Sequence, residues 1–303
     1  MTNQKEDIYR EALNSYEKKD KVKFTFIKQE NPTGIANAVS SSKKFIGEEK
    51  FVMILGDNMY QFNLHEFLEG FISQQYNCKI LLKEVENPSQ FGVVNISNGK
   101  IIDLVEKPVN PPTNLAITGI YAFDSNIFKA CESIKPSWRG EYEITDAIKW
   151  LLDNGYRVDY DILDGEWMDL GTPEDILKEN VNKLMDIKDS ILGEVIFSDI
   201  IGKIVLGKNS KIINSNVRGP VSIGDSVIIE NSYIGPYTSL GNNVFISNCQ
   251  IENSIILDES NISNIKSIID SSIIERGTVI KKSSQLRKAN SFLLAKNSLV
   301  VLD

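Results

Sequence analysis

Apolar positions along the first half of the chain switch between two periods. Phe51–Leu55 is a continuous apolar run, the pattern of a strand buried on both faces of a parallel sheet. Val22, Phe24 and Phe26 alternate with polar residues, as a half-buried strand does. Lys79–Val85, Val93–Ile96, Ile101–Val105, Ala116–Phe123 and Arg157–Leu163 read as further strands. Helical spacing marks Lys5–Tyr16, Leu64–Ile72, Ile144–Leu152 and Pro173–Met185. The last has a clean start, with Thr172 as N-cap, Pro173 at the first helical position and Asp175 three residues beyond the cap. Alternating strands and helices predict a layered α/β domain over residues 1–189.

From residue 190 the period changes. Leu206-Gly207, Ile223-Gly224, Leu240-Gly241, Leu257-Asp258 and Ile274-Glu275 recur every 17 residues. Val217, Ile234, Ile251 and Ile268 keep the same period, as do Ile212, Ile229 and Ile246 and the polar column Asn214, Asn231 and Asn248. Within a period the apolar positions fall at steps of six, five and six. Three short strands per turn predict a left-handed parallel β-helix of hexapeptide repeats over residues 190–303, each turn burying its aliphatic column against the next. The asparagines are expected to form an amide ladder between turns.

Composition narrows the function. The 303 residues carry a formal charge of −8, which argues against nucleic acid or an anionic membrane as partner. Cys78, Cys131 and Cys249 lie far apart, with no CxxC pair, so a reducing, cytoplasmic setting is expected. The polar start, Met1 to Arg10, lacks the apolar core of a signal peptide. The single histidine, His65, falls beside the apolar stripe of a helix and is expected on the surface. A His-rich zinc site is therefore excluded, and any His-dependent nucleophile would have to use this one residue.

Four places could carry chemistry. Asp57 closes the Phe51–Leu55 run within Gly56-Asp57-Asn58. Strand ends of this kind hold ligands in open α/β sheets, and a carboxylate there could hold Mg²⁺ or simply cap the next element. Asp169 sits between a strand and a helix and could supply a second carboxylate, or be a turn residue. Glu106-Lys107-Pro108 ends another strand, where the acid could accept sugar hydroxyls and the lysine meet a phosphate. Arg139 could grip phosphate or lie in a surface loop.

Taken in order, Gln29-Glu30-Asn31-Pro32-Thr33-Gly34-Ile35-Ala36, Leu55-Gly56-Asp57-Asn58, Phe91-Gly92-Val93-Val94, Glu106-Lys107-Pro108, Thr118-Gly119-Ile120-Tyr121, Arg139-Gly140-Glu141-Tyr142-Glu143-Ile144-Thr145-Asp146 and Trp167-Met168-Asp169-Leu170-Gly171-Thr172-Pro173 resemble the motifs of the sugar-1-phosphate nucleotidyltransferases. The glucose-1-phosphate thymidylyltransferases are the most similar. The β-helix, ending in Phe292-Leu293-Leu294-Ala295-Lys296-Asn297-Ser298, resembles their long form. The resemblance implies a Rossmann-like domain in which glucose 1-phosphate attacks the α-phosphate of dTTP, giving dTDP-glucose and pyrophosphate with Mg²⁺ as cofactor. It implies nucleobase contacts at Gln29 and Gly34, metal ligands at Asp57 and Asp169, and glucose contacts at Gly92 and Glu106. Tyr121 and Trp167 would wall the sugar pocket, and Lys107 and Arg139 would meet the sugar phosphate.

One feature departs from that pattern. Members of the family open with a strand and a G-x-G-T-R loop, yet no two of the 19 glycines here are separated by one residue and no Thr-Arg pair occurs. That loop would cradle the triphosphate on backbone N–H groups. On this reading the first domain is truncated at its N-terminus, some strand edges lack partners, and the chain alone is expected to turn over poorly. A second reading is a non-catalytic or regulatory sugar-nucleotide-binding subunit; either a homo-oligomer or a partner chain supplying the loop is then expected. A hexapeptide acyltransferase is the weakest reading, because residues 190–303 contain no histidine to act as base.

Overall fold

A computed structural model describes residues 22–282, together with Tyr9, Arg10 and Leu13. The helix expected at Lys5–Tyr16 lies outside the described residues apart from those three, and so does the Phe292–Ser298 segment. The first part of the chain runs Ile35–Ile46 (α1), Phe51–Ile54 (β1), Asn58–Tyr60 (β2), Leu64–Ser73 (α2), Cys78–Glu84 (β3), Gly92–Ser97 (β4), Lys100–Glu106 (β5), Leu115–Phe123 (β6), Asn126–Ser133 (α3), Ile144–Asp153 (α4), Val158–Ile162 (β7) and Trp167–Asp169 (β8).

The main sheet has the order β5-β4-β6-β3-β7, with β1 also paired to β6. On one edge of β6, Ala116 meets β4 and Ile120–Phe123 meet β1; β3 takes the other edge. Ile80, Leu82 and Phe123 pack under α1, α3 and α4, while Leu81, Ile120 and Ala122 pack under Phe67 and Phe71 of α2. Helices thus cover both faces of β3 and β6, which is why these strands read as near-continuous apolar runs.

Two strand expectations are corrected. Phe51–Ile54 pairs antiparallel with β6, and it is not buried on both faces. Its residues are half-buried and Ile54 is 48 % exposed, because among the described residues β6 is its one strand neighbour and its second edge is open. Val22–Phe26 forms no strand. A period of two reports a one-sided environment, whereas a strand also requires a neighbour to bond.

The chain divides into two compact units, Met1–Asp169 and Leu170–Asp303. Helix Pro173–Met185 (α5), assigned from sequence to the first domain, groups with the second. Its Asn180 donates to the Tyr237 carbonyl at 2.9 Å and accepts from the Ser239 hydroxyl at 2.6 Å. The capping box at Thr172 and Asp175 is present as expected.

Among the described residues the second unit is a parallel β-solenoid of three sheets with six, five and six short strands. Its aliphatic columns are buried, and the asparagine corners Asn214, Asn231, Asn248 and Asn264 take left-handed φ of 46–60°, a conformation asparagine tolerates better than most residues. Asn214 donates to Asn231 at 2.6 Å and Asn248 to Asn264 at 3.0 Å. The strict 17-residue count fails in the later turns. Leu240 stacks on Ile256, not Leu257, and Ile251 stacks on Ile269, not Ile268. Ile256 is fully buried, whereas Leu257 and Ile268 are exposed. Neighbouring apolar residues let the period select the wrong one of each pair.

Candidate active site

Asp57 and Asp169 lie at the same end of a small two-stranded ribbon, Asp57 just before its first strand and Asp169 at the end of its second. β2 and β8 pair antiparallel with Asn58 opposite Asp169 and Tyr60 opposite Trp167, and the Gln61 N–H bonded to the Glu166 carbonyl at 2.9 Å extends the ribbon. Tyr60 ties the ribbon to the main sheet by donating to the Thr118 carbonyl at 2.6 Å. Burial pushes the Tyr60 hydroxyl well up, and the charges of both Asp57 and Asp169 push the same way. Asp57 is exposed and accepts from the Asn58 amide at 2.8 Å. The Asn58 oxygen in turn accepts the Trp167 indole N–H at 2.6 Å.

Among the described residues no three His, Cys, Asp or Glu side chains cluster as a metal cage. Two carboxylates at a strand end suit Mg²⁺, which takes one or two carboxylates and completes its shell with water and substrate phosphates. The donor set therefore fits that ion.

A second group lies around Glu106. It pairs with Gly92 across β4 and β5, and its carboxylate accepts the Thr145 hydroxyl at 2.5 Å. A Cβ on Gly92 would stand 2.8 Å from the Thr145 oxygen and 2.9 Å from Glu106 Oε2, so only glycine leaves that pair in place. Burial raises the Glu106 pKa above the ordinary carboxylate value, and Glu143 adds to the rise; Thr145, Lys107 and Arg139 oppose it. Lys107 follows with a left-handed φ of 40°, its N–H on the Phe91 carbonyl at 3.0 Å and its side chain exposed. A lysine held in that region is strained, and such strain clusters at ligand sites.

Arg139 faces three carboxylates: Glu106 at 3.9 Å, Glu141 at 3.3 Å and Glu143 at 3.4 Å. Glu143 is 3 % exposed and also accepts from the Ser137 hydroxyl at 2.8 Å. A phosphate at Arg139 would compete with these partners. Tyr121 belongs to the core: it is 4 % exposed and stacks on Phe123, and burial pushes its hydroxyl pKa up, with the Glu106 charge adding to the rise. Trp167 is half-buried, its ring 5.1 Å from that of Phe91.

The third group is the turn into α1. Gln29 donates to Asn37 at 2.6 Å and to the Gly34 carbonyl at 3.3 Å. Gly34 has φ +113°, and a Cβ there would lie 2.5 Å from the Tyr142 carbonyl oxygen. Tyr142 clasps the turn through its N–H to the Thr33 carbonyl at 2.7 Å and its carbonyl to the Ala36 N–H at 3.0 Å. The three groups connect residue by residue, from Gly34 through Tyr142, Glu143 and Arg139 to Glu106, then by Gly92, Phe91 and Trp167 to Asn58 and Asp57.

The motifs alone give no role to Phe91, Asn58, Thr145, Glu143 or Asn37. Phe91 and Asn58 adjoin Gly92 and Asp57 in the quoted motifs, and Glu143 and Thr145 fall four and six residues after Arg139 in theirs, which was the available signal; Asn37 follows the first motif. His65 lies on the surface, 80 % exposed, 3.2 Å from Glu69. No helix among the described residues is long and apolar enough to cross a membrane.

Residues 1–185 match the nucleotidyl transferase family. The chain is 42 % identical over 286 residues to the low-salt glycan biosynthesis nucleotidyltransferase Agl11 of Haloferax volcanii, covering 92 % of this chain and 78 % of that protein. It is 38 % identical over 279 residues to a glucose-1-phosphate thymidylyltransferase of Streptomyces antibioticus, covering 91 % and 78 %. Among solved structures, a Bacillus anthracis protein assigned as a glucose-1-phosphate thymidylyltransferase, in complex with sucrose, superposes with a TM-score of 0.54 at 38 % identity, over 61 % of this chain and 74 % of that one.

Proposed function

The chain belongs to the nucleotidyl transferase family, and from that premise we propose that it joins a nucleoside triphosphate, dTTP, to glucose 1-phosphate, forming dTDP-glucose and pyrophosphate. The observation that carries this reading is the single line of contacts joining the Glu106 group to the Asp57 ribbon through Phe91 and Trp167. An acidic sugar-binding group and a carboxylate pair at neighbouring strand ends suit a hexose phosphate lying beside a triphosphate.

Glu106 accepts hydroxyls of the hexose, its carboxylate held by the Thr145 hydroxyl beside the bare Cα of Gly92. Lys107 meets the sugar phosphate as a point charge. Arg139 orders Glu106 and Glu143 and adds positive charge beside the phosphate. Gln29 and the turn at Gly34 take the nucleobase, and Trp167 with Phe91 forms an aromatic wall. Asp57 and Asp169 would hold Mg²⁺, which when bound neutralises triphosphate charge. The sugar-phosphate oxygen forms the new bond to the α-phosphorus as the bond to pyrophosphate breaks, so no protein nucleophile is required. Catalysis is positioning and charge stabilisation.

A pyrophosphate-release assay with glucose 1-phosphate and Mg²⁺, run with dTTP and with each other nucleoside triphosphate, tests the proposal. The expected product by mass spectrometry is dTDP-glucose, formed slowly because no G-x-G-T-R loop occurs in these 303 residues to cradle the triphosphate, and absent with Asp57→Ala. No nucleotide-hexose with any triphosphate would overturn it.

A further inference from the structure

Asn58 stands between two groups that the proposed function uses separately, the Asp57 carboxylate and the aromatic wall at Trp167. Its amide nitrogen donates to Asp57 Oδ1 at 2.8 Å, and its amide oxygen accepts the Trp167 indole N–H at 2.6 Å. An indole nitrogen donates only, so it can bind the oxygen end of the amide and not the nitrogen end. Fixing the oxygen on Trp167 leaves the planar amide with its NH₂ on the opposite side, toward Asp57. Without that constraint the amide torsion is broad and nearly two-fold, and the reversed amide would set an oxygen against the carboxylate. Trp167 is itself held by its pairing opposite Tyr60 and by the Phe91 ring at 5.1 Å.

We infer that Trp167 and Asn58 are positioning residues for Asp57: the indole N–H sets the direction of the amide, and the amide sets the direction of the carboxylate toward a divalent cation. This rests on the reading of Asp57 as a cation ligand. The aromatic ring at 167 then has a second duty that its ring alone cannot perform. Trp167→Phe keeps an aromatic side chain against Phe91 and removes the N–H; Asn58→Ala removes the amide.

The test is a titration of the full chain with Mn²⁺, free ion being read by electron paramagnetic resonance, with the thermal midpoint of each variant as a folding control. Asp57→Ala is expected to show the largest loss of affinity. Trp167→Phe and Asn58→Ala are each expected to weaken Mn²⁺ about tenfold, the lower end of effects seen for groups that orient metal ligands. The double variant should be no weaker than Asn58→Ala, because both substitutions break one relay. Unchanged affinity in Trp167→Phe and Asn58→Ala, with Asp57→Ala impaired, would overturn the relay and leave the ligand assignment standing. Wild-type affinity in Asp57→Ala, or no binding by the wild type, would overturn the ligand assignment and the relay with it.

Discussion

Replacing Gly92 by alanine adds one methyl group at the tightest point of the sugar-binding group. The new carbon would lie 2.8 Å from the Thr145 hydroxyl oxygen and 2.9 Å from Glu106 Oε2, against about 3.5 Å for relaxed non-bonded contact. Gly92 lies outside the left-handed region, so the backbone accepts alanine and the objection is steric alone. The two oxygens are partners in one 2.5 Å hydrogen bond, and both must yield by roughly 0.6 Å. Overpacking of this size costs about 2 kcal/mol, which in a domain of this size lowers the melting midpoint by roughly 5 °C. A carboxylate displaced on this scale is expected to weaken glucose 1-phosphate binding about ten- to a hundredfold. Scanning fluorimetry and isothermal titration calorimetry read the two effects. Adding Thr145→Ala removes one of the two contacts and should recover part of the stability but not the sugar affinity. A Gly92→Ala protein that melts and binds like the wild type would refute this account of why position 92 is glycine.

Two further outcomes follow from the same geometry. Burial raises the Glu106 pKa, so on folding the group takes up protons between its ordinary carboxylate value and its raised one. Ionised Glu106 therefore costs stability above that window, and the cost fades as pH falls through the window and is gone below the ordinary value; Glu106→Gln should raise the melting midpoint at pH 7 and lose that gain toward pH 4, and an equal gain at both would contradict it. In the solenoid, Ile269→Ser should destabilise strongly because Ile269 stacks on the fully buried Ile251, whereas Ile268→Ser should be near neutral because Ile268 is 51 % exposed; chemical denaturation of the pair reads the register directly.

Much of the fold was legible because its signals are local. Thr172, Pro173 and Asp175 announce α5 through capping chemistry, and β3 and β6 announce themselves as apolar runs because helices bury both their faces. Where neighbours decide, the sequence was weaker. Phe51–Ile54 has the composition of a central strand but sits on an open edge, and Ile256 and Leu257 are interchangeable to a period yet opposite in burial. Of the site, the acids at strand ends were legible as types of residue, since Asp57, Glu106 and Asp169 each follow or end an apolar strand. The partners that orient them were not: Thr145 is 39 residues from Glu106 and Trp167 is 109 from Asn58, separations that only the folded chain closes. Tyr121 shows the converse, an aromatic in a motif whose packing into the core its type alone did not reveal.

A single nucleotide-sugar site would join the turn at Gly34, the Glu106 group and the Asp57 ribbon. Calorimetric titration with dTDP-glucose, which spans all three, tests it most directly. The account predicts saturable binding to the wild type, about tenfold or more weaker in Glu106→Ala on the sugar side and similarly weakened in Gly34→Val, whose side chain would strike the Tyr142 carbonyl on the base side. Binding left intact by both substitutions, or no saturable binding at all, would contradict it.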